Sequence, residues 1–205
     1  MKQFKHCMLS LPRSGSNWLR YWFEYFSDEK CTEKNILVPV NVHGNSTEDC
    51  PVTLYKRHAI SLIDLKERGI ENLLLVVRDY KETFKRHARR KLENMDSFVE
   101  NLKVFDAFNG NKLVVYYEDI VPDFNYIVKA MDFMGIKGNY KNIDVEAHRE
   151  KSIKLYDDAC KSATKDDLMN FKFHQNTISD KEKEAVTLYL KKQLGSIFDK
   201  YLHRY

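Results

Sequence analysis

The sequence predicts an α/β protein with a three-layer α/β/α architecture, in which a central parallel sheet has helices on both faces. Short apolar runs suited to buried strands alternate along the chain with longer segments of helical pattern. Such alternation requires crossover connections, which make neighbouring strands parallel. The run Asn72–Val77 (NLLLVV) is apolar on both faces, which is typical of a central parallel strand.

The predicted elements follow one another from the first residues onward. The predicted strands are 7–11, 52–56, 72–77 and 112–117, and the predicted helices are 18–26, 59–69, 79–91, 94–108 and 122–134. Residues 27–52 contain prolines and a polar cluster, which predicts a long irregular loop of the kind that often carries function. From about Ile143 onward we expect mostly helix, with a last helix from the capping signal at Ser179 to near Tyr201.

Composition indicates a single folded domain over residues 1–205. Hydrophobic residues make up 43% of the chain and charged residues 31%, a balance that supports a packed core and argues against disorder. The net charge of +4 fits an anionic ligand without requiring nucleic acid. No run approaches the roughly 18 apolar residues of a membrane span, and the first apolar run is too short for a signal peptide. We therefore expect a cytoplasmic protein without a transmembrane segment.

The four cysteines give no sign of a metal site. They show neither C-x-x-C spacing nor histidines at the distances of zinc ligands. Cys7 lies in a predicted buried strand, where it is expected to behave as a small hydrophobic residue. We therefore expect no metal and a reducing compartment.

The first predicted strand ends at a loop of small polar residues that is suited to anion binding. The loop is Arg13-Ser14-Gly15-Ser16-Asn17, and helical pattern begins at Trp18. A helix N-terminus offers unpaired N–H donors, Gly15 allows close backbone approach, and Arg13 adds a charge with fork geometry. A polar turn with a Ser or Asn cap is the structural alternative. A Walker A loop is excluded, because that pattern requires Gly-Lys-[Ser/Thr] at its end.

Basic residues follow two further predicted strands. Lys56 ends the second strand and is followed by Arg57 and His58, and Arg78 comes directly after the strand at 72–77, 20 residues after His58. Ligands of open parallel sheets bind outside the carboxyl ends of the strands. This rule predicts that Arg13, His58 and Arg78 surround one crevice.

Several segments resemble the sulfotransferases that use 3′-phosphoadenosine 5′-phosphosulfate (PAPS). LPRSGSNWL at 11–19 resembles the family's 5′-phosphosulfate-binding loop, and Lys56-Arg57-His58 resembles its Lys-x-His strand end. The later segments with a family counterpart, in the same order, are LLVVRDYKE at 74–82, KLVVYYEDI at 112–120 and DFMGI at 132–136. Tyr80 stands where the family usually has Pro, and the resemblance is weak beyond about residue 140.

The resemblance implies a P-loop-NTPase-like sulfotransferase fold with a helical C-terminal part, PAPS as donor co-substrate, and no metal. The loop residues that it implies for nucleotide binding are Arg13, Ser14, Gly15, Ser16, Asn17 and Trp18. It further implies that Arg78 binds the 3′-phosphate and that His58 is the general base. Lys56 and Arg13 would stabilise charge on the departing oxygens.

Two departures from the family pattern concern the 3′-phosphate site. The family pairs the strand-end Arg with a Ser eight residues later, where this chain has Arg86. A guanidinium binds phosphate well, so that Arg86 either replaces the hydroxyl or points to solvent. The family often has an R-K-G segment near the C-terminus, which this chain lacks, and Lys172 is our candidate replacement.

The expected activity is sulfuryl transfer to a hydroxyl or amine acceptor that the sequence does not identify; a carbohydrate, peptide, lipid and small molecule all remain open. One alternative is a nucleotide-kinase-like phosphotransferase, and another is a catalytically inactive protein that binds the nucleotide. The basic run 81–91 lacks any accompanying RNA- or DNA-binding motif, which argues against nucleic acid as a partner. The oligomeric state is left open.

Overall fold

The computed structural model of the protein describes residues 5–10, 14–27, 30–31, 52–57, 59–86, 91–136, 138–161 and 177–205. Within these ranges the chain is an α/β fold around a parallel sheet of order β2-β3-β1-β4-β5. The strands are β1 (His6–Ser10), β2 (Lys30–Cys31), β3 (Val52–Arg57), β4 (Asn72–Val77) and β5 (Asn111–Tyr116). The predicted parallel sheet is confirmed.

Helices cover both faces of this sheet. They are α1 (Ser16–Ser27), α2 (Leu62–Glu67), α3 (Tyr80–Lys85), α4 (Asp96–Ala107), α5 (Tyr117–Ile120), α6 (Phe124–Phe133), α7 (Val145–Lys161), α8 (Asp180–Leu194) and α9 (Ser196–Leu202), with a 3₁₀ turn at Leu92–Met95. Alternate residues of β4 enter two separate apolar cores, because successive strand side chains point to opposite faces. Leu73 and Leu75 pack with residues of α4, α8 and α9, whereas Leu74 and Val76 pack with residues of α1 and α6.

The predicted strands agree with the structure to within one residue at each end, and the strand at Asn72–Val77 agrees at both ends. The interpretation of 27–52 as wholly irregular is wrong at Lys30–Cys31, which pairs with β3 as β2. A two-residue strand is too short to produce a periodic pattern, so that only its pairing reveals it. Most of the remaining predicted loop lies outside the described residues.

Two predicted helices are shorter than expected, because side-chain caps and turns fix their ends. Helix α2 begins after Ser61, whose hydroxyl accepts from the Asp64 N–H at 3.1 Å in a capping box. It ends before Gly69, which has a positive φ of 70°. Helix α3 ends at Lys85 with Arg86 as its C-cap, so that the prediction of one helix over 79–91 is wrong at its end.

The predicted last helix is divided in two. Its start at Ser179 is confirmed, since the Ser179 hydroxyl accepts from the Glu182 N–H in a capping box. Gly195 then interrupts it, with φ 53° and ψ −129°, a conformation that glycine adopts readily. The break allows Phe198 and Tyr201 of α9 to pack into the same core as α8.

A ladder of polar side chains crosses the sheet at the amino ends of three strands. Asn72 Nδ2 lies 3.0 Å from His6 Nδ1, and Asn111 donates to Asn72 Oδ1 at 2.8 Å. Burial, followed by the nearby charge of Lys5, lowers the pKa of His6, and Glu71 opposes the shift. The ladder lies at the sheet edge away from the predicted ligand site.

Among the helices within the described ranges, none combines the length and the apolar character that crossing a bilayer requires.

Candidate functional site

The carboxyl ends of β1 and β4 lie side by side in the sheet. Ser10 at the end of β1 is in register with Val76, and Arg78 follows Val77 at the end of β4. From β1 the chain leads to β2 and β3 on one side of the sheet, and from β4 it leads to β5 on the other. A gap between two such diverging connections is where α/β sheets bind ligands.

The polar loop after β1 has the geometry of an anion-binding turn. Gly15 has φ 82°, and α1 begins directly after it, with the Trp18 N–H donating to the Gly15 carbonyl at 3.0 Å. Ser14 and Ser16 are buried beside the first turn of α1. Asn17 Oδ1 is buried without a hydrogen-bond partner among the described residues. Backbone N–H groups at such a glycine turn and helix start together favour a bound anion.

The Tyr117 ring connects this loop to the strand-end arginine. A Cβ atom at Gly15 would lie only 1.9 Å from Cδ2 of Tyr117, so that the glycine backbone is in direct contact with the ring. The guanidinium carbon of Arg78 lies 4.1 Å from the centroid of the same ring, within cation–π range. The described part of the loop and Arg78 therefore lie close together, whereas Arg13 and His58, the other two residues of the predicted crevice, lie outside the described residues.

Two guanidinium groups lie near each other beyond β4. Burial lowers the pKa of Arg78, the charge of Arg86 lowers it further, and Tyr117, Glu82 and Glu118 oppose the shift. Arg86 Nη2 lies 3.5 Å from Glu82 Oε2, and the Arg86 side chain is only 18% exposed. Arg86 thus does not extend into bulk solvent, which was one of the two alternatives for it.

A cavity of about 440 Å³ opens beside Arg78 at this edge of the sheet. Its lining residues are Arg78, Asp79, Glu82, Tyr117, Glu118, Val121, Pro122 and Tyr205. Asp79 caps α3 by accepting from the Lys81 N–H at 2.9 Å, and burial is the main cause that raises the pKa of Asp79. The cavity therefore combines a half-buried cation, acids that already have hydrogen-bond partners, and an apolar wall.

Glu118 and Asp119 precede α6 in the chain, but neither of them caps it. Asp123 caps α6 by accepting from the Asn125 N–H. Glu118 instead accepts from the Asp79 N–H at 3.1 Å and from the Tyr205 hydroxyl at 2.6 Å. Asp119 accepts two hydrogen bonds from Arg204, at 2.7 and 2.8 Å.

Tyr205 thus forms part of the wall of the cavity. The Tyr205 ring lies near the rings of Tyr80 and Tyr116, and Lys81 Nζ donates to the backbone oxygen of Tyr205. Sequence reasoning missed Tyr205, because no motif or periodicity marks a residue that acts through a contact to a distant segment.

Tyr80 has a packing role, which accounts for one departure from the family pattern. Its ring is buried with 1% exposure, and its hydroxyl lies 3.0 Å from the Thr187 hydroxyl of α8. The ring also meets Phe198 of α9 edge to face. A proline at this position would lack both contacts, so that Tyr80 serves the docking of the last two helices.

The predicted catalytic residues are not placed by the described part of the chain. Arg13, His58 and Lys172 lie outside the described residues. Lys56 belongs to β3, where its Cα is in register with Met8 of β1, but its side chain is not described. The roles of His58 as general base and of Arg13 in charge stabilisation therefore remain predictions.

His148, to which the sequence assigns no role, lies among aromatic residues of α1. Its Nδ1 is 2.7 Å from the Tyr21 hydroxyl, and its ring packs 4.5 Å from Tyr25 and 4.8 Å from Trp22. Burial is the main cause that raises the pKa of Tyr21 to about 12. This cluster fastens α7 to α1.

Comparisons with known proteins leave the family open. No family model matches the chain, and no curated protein matches it. One solved structure similar to it is that of an unliganded sugar kinase from Janibacter sp. HTCC2649, with a TM-score of 0.40 and 12% sequence identity. The similarity covers 65% of this chain and 95% of that chain. We base no conclusion on a likeness of this size.

Proposed function

We propose that this protein is a sulfotransferase that transfers the sulfuryl group of PAPS to a hydroxyl or amine acceptor. The observation that carries the proposal is the contact of one ring, Tyr117, with both Gly15 and Arg78. These two residues belong to the segments that resemble the family's 5′-phosphosulfate loop and its 3′-phosphate strand end. The proposal includes the P-loop-NTPase-like sulfotransferase fold for the sheet.

The pair of guanidinium groups supports a 3′-phosphate site. Burial is the main cause that lowers the pKa of Arg78, and repulsion from the positive charge of the nearby Arg86 lowers it further. A bound phosphate would relieve this repulsion and accept charge-assisted hydrogen bonds from both groups. Glu82 lies 3.5 Å from Arg86 and competes for it, but at that length the ion pair is weak. In this proposal Arg86 takes the place of the family's serine hydroxyl.

The proposed reaction is an in-line displacement at sulfur. The acceptor oxygen or nitrogen forms a bond to sulfur while the bond from sulfur to the bridging phosphate oxygen breaks. The electron pair leaves with 3′-phosphoadenosine 5′-phosphate (PAP), and the acceptor proton passes to His58. Arg13, Lys56 and the N–H groups of the loop stabilise the charge on the departing phosphate. Such a reaction depends mainly on positioning and charge stabilisation.

Calorimetric titration tests the proposal, with PAP compared with adenosine 5′-phosphate and ATP. We expect micromolar binding of PAP and much weaker binding of adenosine 5′-phosphate. A preference for ATP would overturn the proposal and favour the phosphotransferase alternative. Release of PAP from PAPS is then measured with sugar, peptide, lipid and phenol acceptors. Binding of PAP without transfer to any acceptor class would favour the inactive nucleotide-binding protein.

A further inference from the structure

Several carboxylates lie near Arg78, and the proposed function does not explain why they do not compete with an anionic ligand for it. Three acids, Asp79, Glu82 and Glu118, line the same cavity as Arg78. Glu82 and Glu118 both act on Arg78 at Coulombic range, since each opposes the lowering of its pKa. A carboxylate that turned toward Arg78 would compete directly with an incoming phosphate. An anion site at Arg78 therefore requires that these carboxylates be held in positions from which they do not turn toward the guanidinium group.

Glu118 is held by two hydrogen bonds, one for each oxygen. Its Oε1 accepts from the Asp79 N–H at 3.1 Å, and its Oε2 accepts from the Tyr205 hydroxyl at 2.6 Å. Asp79 directly follows Arg78, so that the first bond also fixes the backbone at the end of β4. The second bond is the one that a distant part of the chain supplies.

Tyr205 is well placed to keep this bond. Its ring lies 6.3 Å from that of Tyr80 and 6.2 Å from that of Tyr116, and its neighbour Arg204 is bound to Asp119. Burial, followed by the hydrogen bond to Glu118, raises the pKa of Tyr205, so that the phenol remains a donor near neutral pH. The hydroxyl therefore stays protonated near neutral pH and can donate to Glu118.

We propose that Tyr205 is a positioning residue of the Arg78 site: its hydroxyl holds the Glu118 carboxylate against the Asp79 backbone and thereby keeps this carboxylate from turning toward Arg78, where it would compete with an anionic group of the ligand. The inference rests on the proposed function, in which that group is the 3′-phosphate. It gives Tyr205 a role in the Arg78 site, although the chain lacks the R-K-G segment that the sulfotransferases often have near the C-terminus.

The test uses the conservative variant Tyr205→Phe, which keeps the ring and removes only the hydroxyl. Calorimetry with PAP and adenosine 5′-phosphate is expected to show a loss of about tenfold or more in PAP affinity and no change for adenosine 5′-phosphate. Tyr126→Phe, at a tyrosine that is 40% exposed, is the matched control and should behave as wild type. Thermal unfolding establishes that each variant is folded.

A second substitution separates positioning from simple structural support. If the freed carboxylate is the cause, Tyr205→Phe combined with Glu118→Gln regains PAP affinity, because glutamine keeps the acceptor for the Asp79 N–H without the charge. Glu118→Gln alone should gain little PAP affinity over wild type, because Tyr205 already keeps the wild-type carboxylate from competing. A large gain would contradict the inference, and this result can be read even if Tyr205→Phe fails to fold.

Three further results would overturn the inference. They are wild-type PAP affinity in Tyr205→Phe, equal losses for both nucleotides, and a double variant that binds no better than the single one. Failure of the proposed function looks different, since wild-type protein would then bind PAP and adenosine 5′-phosphate equally. That result would remove the 3′-phosphate site and this inference together.

Discussion

The guanidinium carbon of Arg78 lies 4.1 Å from the centre of the Tyr117 ring, and the same ring covers Gly15 of the polar loop. Two segments more than 60 residues apart are thus joined through one aromatic side chain. The contact is also a constraint, because neither the loop nor the strand end can shift without moving the ring. Adding a single carbon atom at Gly15 would therefore displace the Tyr117 ring and, with it, the surroundings of Arg78.

Gly15→Ala is expected to reduce both stability and nucleotide binding. The positive φ costs about 1–2 kcal/mol for a residue with a Cβ, and the Cβ would lie 1.9 Å from Tyr117 Cδ2. Overpacking adds about 1–3 kcal/mol. Denaturant unfolding and PAP titration measure the two effects.

Gly135→Ala is the matched control for that substitution. Gly135 also has a positive φ, of 70°, but nothing lies within 4 Å of the added Cβ. Gly135→Ala should therefore lower the free energy of unfolding only by the about 1–2 kcal/mol that the positive φ costs, and it should bind PAP normally. If the two variants lost equal stability, the tight contact between Gly15 and Tyr117 would be contradicted.

Arg78→Ala is expected to lower PAP affinity by about 10- to 100-fold, because a charge-assisted hydrogen bond to the 3′-phosphate would be lost. Affinity for adenosine 5′-phosphate should change much less. Arg149→Ala removes an arginine that is 40% exposed and pairs with Glu146, and it serves as the control. Equal losses for both nucleotides would show that Arg78 does not act on the 3′-phosphate.

His58→Ala is expected to abolish sulfuryl transfer and leave PAP binding intact, because the general base acts only in the chemical step. The comparison is His203→Ala, at an exposed histidine after α9, which should retain activity. Transfer is measured as PAP release at saturating PAPS with an acceptor found in the screen. Wild-type rates in His58→Ala would require another base.

The stability of the protein is expected to fall as the pH decreases from 7.5 toward 5.5. The pKa of His6 is lowered by burial, so that below the unfolded value of 6.5 the unfolded chain binds more protons than the folded one. The pKa of His148 is lowered in the same direction, mainly by burial. Urea unfolding at several pH values measures how steeply the free energy of unfolding changes with pH.

His6→Gln isolates the contribution of the polar ladder. Glutamine retains an acceptor for the Asn72 amide but does not titrate. The free energy of unfolding of this variant should therefore decrease less steeply than that of wild type as the pH falls. His148 accounts for part of the decrease that is left. A slope identical to that of wild type would mean that His6 does not contribute to acid destabilisation.

Much of the fold could be predicted because its signals are local. The five consecutive apolar residues Leu73–Val77 mark β4, and the Ser179–Glu182 capping box defines the start of α8. The strand-end rule predicted one crevice around Arg13, His58 and Arg78, and of these three the structure describes Arg78, which lies against the ring that contacts Gly15. β2 and the break at Gly195 were missed, since the first depends on pairing and the second on packing of α9.

The sequence by itself determined β1, β3, β4 and β5, the start of α8 and the residue types of the proposed anion site, because hydrophobic periodicity, caps and strand ends act over a few residues. Only the tertiary structure decided which side chains surround Arg78. Tyr205 reaches Glu118 across 87 residues of chain, and Arg204 reaches Asp119 across 85. The physical reason is that a hydrogen bond between distant segments forms only after the sheet and helices have packed, and it leaves no periodic pattern in the sequence.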